Sequence, residues 1–312
     1  MDLNGIWVEG ETLPDAFIQA FKLRFKAEQP PSRYLMSDFL QVIEPCATNS
    51  DNENLLALVS DFELKCAIKS IGPLKAPGPD GLQAVFYQKC WENTKHLVKR
   101  AFAPGRSIFD NILIAHELFH DFKRKKGSRG AMAIKLDLEK AYDFLDWDYI
   151  RGCLAQFGFS IYWCDRIMNC VSNTSFSMLI NGAPYGHFKA SRGIRQGDPL
   201  SPYIFILCME PFIRHFNLLA QNPKSNVGLL SSQGGDRISN LLFSDDCLIF
   251  ARSTAVAARN INHLLDKFSK VSGQKINLHK STVYFSGNVL SQARSALSNL
   301  LQIQHKPSLV VI

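Results

Sequence analysis

Residues 241–250 read "LLFSDDCLIF": two apolar runs on either side of the adjacent carboxylates Asp245 and Asp246. Short apolar runs broken by a polar pair read as two strands of a hairpin. Two neighbouring carboxylates held between buried strands repel each other and lose solvation unless a cation or water compensates them. The same pair also suits an exposed hairpin turn, where Asp is common. On this stretch alone the two readings stand level.

Working outward, "AMAIKLDL" (131–138) reads as a strand with Asp137 near its end. A carboxylate leaving an apolar strand has its direction fixed by the sheet, which suits a rigid site. If that strand adjoins the hairpin, Asp137, Asp245 and Asp246 make an all-oxygen cluster. Hard oxygen ligands suit Mg²⁺, which keeps waters and bridges to substrate phosphates. Two such ions can activate a 3′-hydroxyl and assist a leaving pyrophosphate. The chemistry this pattern points to is nucleotidyl transfer.

The intervening segments supply a mixed scaffold. "EKAYDFLDWDYIRGCLAQFGF" is expected to be helical, with Phe144, Trp147, Ile150, Leu154 and Phe157 spaced by three or four. "SFSMLING" and "GHFKASRG" read as two strands joined by a Gly/Pro turn, and "PLSPYIFILCMEPFIRHF" as a helix opened by prolines. Thr254–Val271 is amphipathic through Ala258, Ile261, Leu265 and Phe268 and stops at Gly273. "STVYFS" is expected as a last strand. Near the N-terminus, residues 11–26 space Phe17, Phe21 and Phe25 four apart, predicting a short helix with an inward aromatic stripe. Residues 51–70 suggest another helix, and "GPLKAPGPDGL" (72–82) a rigid extended loop. Helices and strands do not alternate strictly, which favours an α+β fold.

Composition sets broad limits. Across 312 residues, 35 Lys and Arg against 28 Asp and Glu give a net charge of +7, which favours a polyanionic partner such as nucleic acid. The basic turn Lys123–Lys126 with Arg129 is either a backbone contact for such a partner or a solvated loop. The eight cysteines are scattered without a C-x-x-C pair, and several sit inside apolar runs. They read as buried thiols of a reducing compartment. "MDLNGIWVEGE" lacks the pattern of a signal peptide, and "YIFILCMEPFI" is short for a bilayer span and carries Glu210. The expectation is an intracellular protein, nuclear or cytoplasmic.

One competing motif needs weighing. His116 and His120 in "HELFH" have the H-E-x-x-H spacing of zinc proteases. A catalytic zinc needs three protein ligands, and Glu139 is the conceivable third. At about 100° per residue the apolar face centres on Ala115, Phe119 and Phe122, leaving both histidines on the flank. Two flank histidines on a packed helix explain the pattern; a zinc metalloprotease is the distant alternative.

Taken together, "IKLDLEKAYDFLDWDYI", "SRGIRQGDPLSPYIFILCMEPF", "LLFSDDCLIF" and "SGQKINLHKSTVYFS" resemble, in this order, the palm motifs of reverse transcriptases. The resemblance is to plant LINE-type (non-LTR) retrotransposons. It extends upstream through "KAPGPDGLQAVFYQKCW" and "AFAPGRSIFDNILIAHEL", covering about Trp7 to Gly287. It implies an RNA-directed DNA polymerase of right-hand architecture, acting on an RNA template, a DNA primer and deoxynucleoside triphosphates. By resemblance, Asp137, Asp245 and Asp246 are catalytic and hold two Mg²⁺ ions (or Mn²⁺), with the Leu138 carbonyl as a further donor. Tyr142 matches the aromatic gate that excludes a 2′-hydroxyl. Gln196 and Gly197 match the segment lining the nucleotide and template pocket. Lys280 matches a lysine that neutralises or protonates the leaving pyrophosphate.

The resemblance also defines departures. Only "KR" joins "KCWENTKHLV" to "AFAPGRS", where the family carries a long fingers segment whose basic residues grip the triphosphate. Phe144 stands where a basic residue is frequent, and Ser244 where alanine is usual. The expected division is a fingers-side remnant over 1–100, a palm over 101–290 and a truncated tail over 291–312, with the thumb largely missing. An inactive retroelement remnant that at most binds nucleic acid nonspecifically is the alternative.

Overall fold

The computed structural model describes residues 13–27, 31–57, 62, 63, 66, 69, 122, 127, 130–173, 175–230, 237–243 and 246–306, with Ala183, Leu242, Phe243 and Asp246 described by backbone alone. Within these residues, the organising element is a five-stranded sheet. Its strands are β1 (Ala131–Leu136), β7 (Asn240–Phe243), β8 (Asp246–Arg252), β10 (Thr282–Phe285) and β11 (Gln304–His305), in the order β11-β10-β1-β8-β7. Every neighbouring pair is antiparallel except β10 with β11, and β5 (Leu229–Leu230) pairs antiparallel with β6 (Arg237–Ile238) outside this sheet. β1 is central and apolar on both faces, because it is covered on both. Met132, Ile134 and Leu136, with Cys247, Ile249 and Val283, enter the main core. Ala131, Ala133 and Phe250 join a smaller cluster with Phe122 and Leu229.

Helices cover the main face. These are α2 (Arg33–Leu40), α4 (Trp147–Gln156), α5 (Ile161–Ser172), α6 (Ser201–Gln221), α7 (Ala255–Ser272) and α8 (Ser291–Leu301), with α1 (Leu13–Arg24) and α3 (Asn49–Leu56) further out. Their meeting point is aromatic. Phe268 of α7 stacks on Phe212 of α6 at 4.3 Å and meets Tyr149 of α4 edge-on at 6.4 Å. The Tyr149 hydroxyl, fully buried, donates to the Cys208 carbonyl at 2.9 Å, which removes the cost of burying it. This is the mainly antiparallel α+β arrangement that the resemblance implies.

Several segments form as their residues dictate. Thr254 caps α7 by accepting from the Ala257 N–H, and Gly273 ends it in the left-handed region at φ +75°. Pro202 opens α6, which then runs on past Phe216 to Gln221 and tolerates Pro211 inside. At 21 residues α6 is long and apolar enough to cross a membrane by length and composition, longer than "YIFILCMEPFI" suggests. Its Ile204, Phe205, Cys208, Met209, Phe212 and Phe216 are core residues of this fold.

Other expectations need correction. The inward stripe on α1 does not hold: Phe17 is exposed, Phe21 is half-buried, and only Phe25 and Ile18 are buried. α1 packs against the hairpin of β3 (Ser175–Ile180) and β4 (Ala183–Lys189), where Phe25 stacks on Phe176 at 4.8 Å. That hairpin turns at Asn181 and Gly182, both with positive φ, as a two-residue primed turn demands, and Pro184 lies inside β4. The segment from Glu139 is not one helix. β2 (Leu138–Glu139) pairs with β9 (Lys275–Ile276), Lys140 adopts φ +50°, and α4 starts only at Trp147. Phe144 is buried all the same, in the turn. The helix expected over 51–70 begins at Asn49, with a Thr48–Asp51 capping box, and α3 ends at Leu56; further along that span the described residues Phe62, Glu63, Cys66 and Lys69 are helical. α5 was not expected from the sequence. Residues 291–305, assigned above to a tail, carry α8 and β11, and β11 extends the sheet.

Candidate active site

The register of the sheet brings the backbone positions of Asp137 and Asp246 side by side. Leu136 pairs with Cys247 in the antiparallel β1–β8 ladder, so the next step along both strands sets position 137 opposite position 246. On the other side of β1, Lys135 pairs with Thr282, and beyond the ladder Lys280 lies in the turn that follows Asn277. The hairpin closes between Phe243 and Asp246, which pair with each other. Ser244 and Asp245 lie outside the described residues.

Asp137 is held by its own backbone. Its N–H donates to Ser281 Oγ at 3.1 Å, and its carbonyl accepts from the Asn277 N–H at 2.9 Å. The turn that grips it is itself closed. The Lys280 N–H donates to the Asn277 carbonyl at 3.2 Å and the Ser281 N–H donates to the same oxygen at 2.8 Å. Ser281 is fully buried while Lys280 is exposed beside it, so the turn presents its lysine to solvent at the strand end.

Tyr142, Gln196 and Gly197 come together on a second shelf. The Tyr142 ring stacks on Phe205 of α6 at 5.1 Å, with 13° between planes. The loop leading to Gln196 is laid against the same turn: the Ile194 N–H donates to the Tyr142 carbonyl at 2.8 Å, and the Gly193 N–H to the Leu145 carbonyl at 2.7 Å. Gly197 has φ +85° with open space where a Cβ would stand, so its backbone is left approachable. Gly193, at φ +86°, is crowded instead, since a Cβ there would lie 2.5 Å from the Asp143 carbonyl oxygen.

Electrostatics single out residues that the sequence did not. Burial pushes the Asp143 carboxyl above the ordinary carboxylate range, opposed by Arg24, Lys140, Gln196 and Arg192. Burial also raises Asp146, although Asp146 caps α4 by accepting from the Asp148 and Tyr149 N–H groups. Gln274, fully buried, donates through Nε2 to the Ala141 carbonyl at 2.7 Å and so ties the start of β9 to the Tyr142 turn. Asp143 and Gln196 stand 53 residues apart in the chain, and Gln274 and Ala141 stand 133 apart, which no local spacing rule reveals.

Among the described residues there is no group of three His, Cys, Asp or Glu able to hold a metal. Asp245 and the Asp246 side chain are outside that set. The donor that is described, Asp137, is a half-buried carboxylate at a strand end, chemistry that fits a hard divalent cation. His116 and His120, the basic turn with Lys123–Lys126 and Arg129, and the 72–82 loop also lie outside the described residues.

A mainly antiparallel sheet with Asp137 at the end of its central strand has the arrangement of a palm-type fold. Residues 82–304 match the model of the family described as "Reverse transcriptase (RNA-dependent DNA polymerase)", and the chain belongs to that family. Membership implies dependence on a divalent metal in general terms. Among similar proteins, the "Transposon TX1 uncharacterized 149 kDa protein" of Xenopus laevis is 28% identical over 186 residues, 60% of this chain and 14% of that protein. The Pol polyprotein of the type-2 retrotransposable element R2DM of Drosophila melanogaster is 30% identical over 58% of this chain and 16% of its own length. An uncharacterized mitochondrial protein of Arabidopsis thaliana is 40% identical over 111 residues, 36% of this chain and 89% of that protein. The chain thus spans about one-seventh of the two element proteins. Among solved structures, an apo telomerase of Candida tropicalis aligns over 67% of this chain and 43% of its own, at 15% identity and a TM-score of 0.42.

Proposed function

We propose that this chain is the catalytic palm of a LINE-type, non-LTR retroelement reverse transcriptase, of plant type and shortened in its fingers. It would extend a DNA primer on an RNA template by adding deoxynucleotides. The observation that carries the reading is the β1–β8 register, which brings the backbone positions of Asp137 and Asp246 side by side, in a chain of the reverse transcriptase family.

Asp137, Asp245 and Asp246 would hold Mg²⁺; when bound, two ions activate a primer 3′-hydroxyl and steady the pyrophosphate leaving group. The hydrogen bonds that the Asp137 backbone donates to Ser281 Oγ and accepts from the Asn277 N–H fix Asp137 before substrate arrives, which is the preorganisation that charge stabilisation requires. Tyr142, backed by Phe205, would place its ring beneath the incoming sugar and exclude a 2′-hydroxyl. Gln196 and Gly197 would line the nucleotide and template pocket, where the open approach to Gly197 leaves room for a ligand. Exposed Lys280 would set its ammonium beside the triphosphate, neutralising charge or giving up a proton to the leaving group.

Primer extension by the purified chain, with Asp245→Ala as control, tests this. Metal-dependent extension lost in the variant supports it. Salt-sensitive nucleic-acid binding without extension would instead identify an inactive remnant.

A further inference from the structure

Asp143 is 6% exposed and has no place among the residues assigned above. Its Oδ1 accepts from Gln196 Nε2 at 3.3 Å. The segments that carry the two residues are locked together by the Gly193–Leu145 and Ile194–Tyr142 backbone hydrogen bonds. The fit has no slack, because only the missing Cβ of Gly193 lets that chain pass the Asp143 carbonyl. Cations surround the carboxylate. Arg192, 5% exposed, stacks its guanidinium 4.5 Å over the Phe144 ring and donates from Nε to the Arg24 carbonyl at 2.9 Å. Arg24 and Lys140 add positive charge to the same spot. Burying a carboxylate is costly, and a hydrogen-bonded amide on an otherwise exposed loop residue is what this one holds.

We infer that Asp143 is a positioning residue whose carboxylate fixes Gln196, and with it the Gln196–Gly197 wall of the nucleotide pocket. It acts through Gln196 and touches no reacting atom. The inference rests on the proposed function for the role of that wall, but the hydrogen bond can be tested without it.

The test uses the full chain with Asp143→Ala and Asp143→Asn, since Asn keeps an acceptor for Gln196 Nε2 and removes the charge. Backbone amide hydrogen exchange is followed in the peptide covering residues 192–198, with a peptide from α7 as the folding control. Loss of one hydrogen bond predicts roughly three- to tenfold faster exchange in Asp143→Ala, with near-parental exchange in Asp143→Asn and in the α7 peptide. Unchanged exchange in Asp143→Ala, equal acceleration in both variants, or acceleration that includes α7 would each overturn the inference. In primer extension, Asp143→Ala is expected to raise the KM for deoxynucleotide several-fold while kcat stays within about twofold, and Asp143→Asn to restore KM. A kcat loss without a KM change would also overturn it. Absence of extension in the parent protein would overturn the catalytic reading, and the exchange data would still decide the role of Asp143.

Discussion

Asp137 and Ser281, 144 residues apart in the chain, are joined by a hydrogen bond from the Asp137 N–H to Ser281 Oγ at 3.1 Å. The serine is fully buried, so water cannot replace it. Ser281→Ala is expected to cost about 1 kcal/mol in denaturant unfolding. It should also lower primer extension, because the carboxylate loses one of its two backbone anchors. Unaltered stability and extension would show that the anchor does not position Asp137.

The two glycines flanking the Gln196 loop should behave differently. Gly197→Ala meets only the left-handed backbone penalty of about 1–2 kcal/mol, since nothing stands near its Cβ. Gly193→Ala meets that penalty and the Asp143 carbonyl 2.5 Å away, adding about 1–3 kcal/mol of overpacking. Chemical denaturation of the two variants in parallel reads the difference; equal losses would contradict the close approach.

Tyr142 is backed by a stacked Phe205, so its ring cannot drop away from the sugar it is proposed to meet. Tyr142→Ala should raise the ratio of ribonucleotide to deoxynucleotide incorporation by roughly 10- to 100-fold in kcat/KM. Phe205→Ala should give a smaller shift in the same direction. Unchanged selectivity in both would remove Tyr142 from the pocket.

His215 predicts a pH dependence of stability. Burial lowers its imidazole below the ordinary histidine range, helped by Lys267 and opposed by the Phe39 carbonyl and Asp38. The unfolded chain therefore binds the proton more readily than the folded one. This contribution is fully present above about pH 6.5 and is lost as pH falls from there towards the folded value. His215→Gln should flatten the stability profile between about pH 7 and 5. A variant profile as steep as the parent's would place the titration elsewhere.

What the sequence disclosed and what it hid divide by the range of the interaction. The hairpin around "LLFSDDCLIF" and the helix from Thr254 to Gly273 were legible because their signals are local: apolar alternation, a Thr cap and a left-handed Gly. The resemblance added the order of the motifs and so placed Asp137 beside the hairpin, as the β1–β8 register bears out for the backbone. The turn over residues 140–146 looks helical in sequence because its apolar spacing is helical, whereas its shape is set by β9 and the Gly193 loop from afar. The Phe17 stripe failed for a similar reason, since α1 packs on the β3–β4 hairpin through Ile18 and Phe25. Ser281, Gln274 and Asp143 carry no local signal, because a polar residue with a distant partner resembles, in sequence, one facing water.

The most direct measurement of the central claim is template-directed extension of a DNA primer on RNA by this chain, with and without Mg²⁺, beside Asp137→Asn and Asp245→Asn. The account predicts Mg²⁺-dependent extension by the parent protein and a loss of at least about a thousandfold in each variant, the scale of removing preorganised charge at a developing transition state. Extension that persists in either variant, or none in the parent chain, would contradict it.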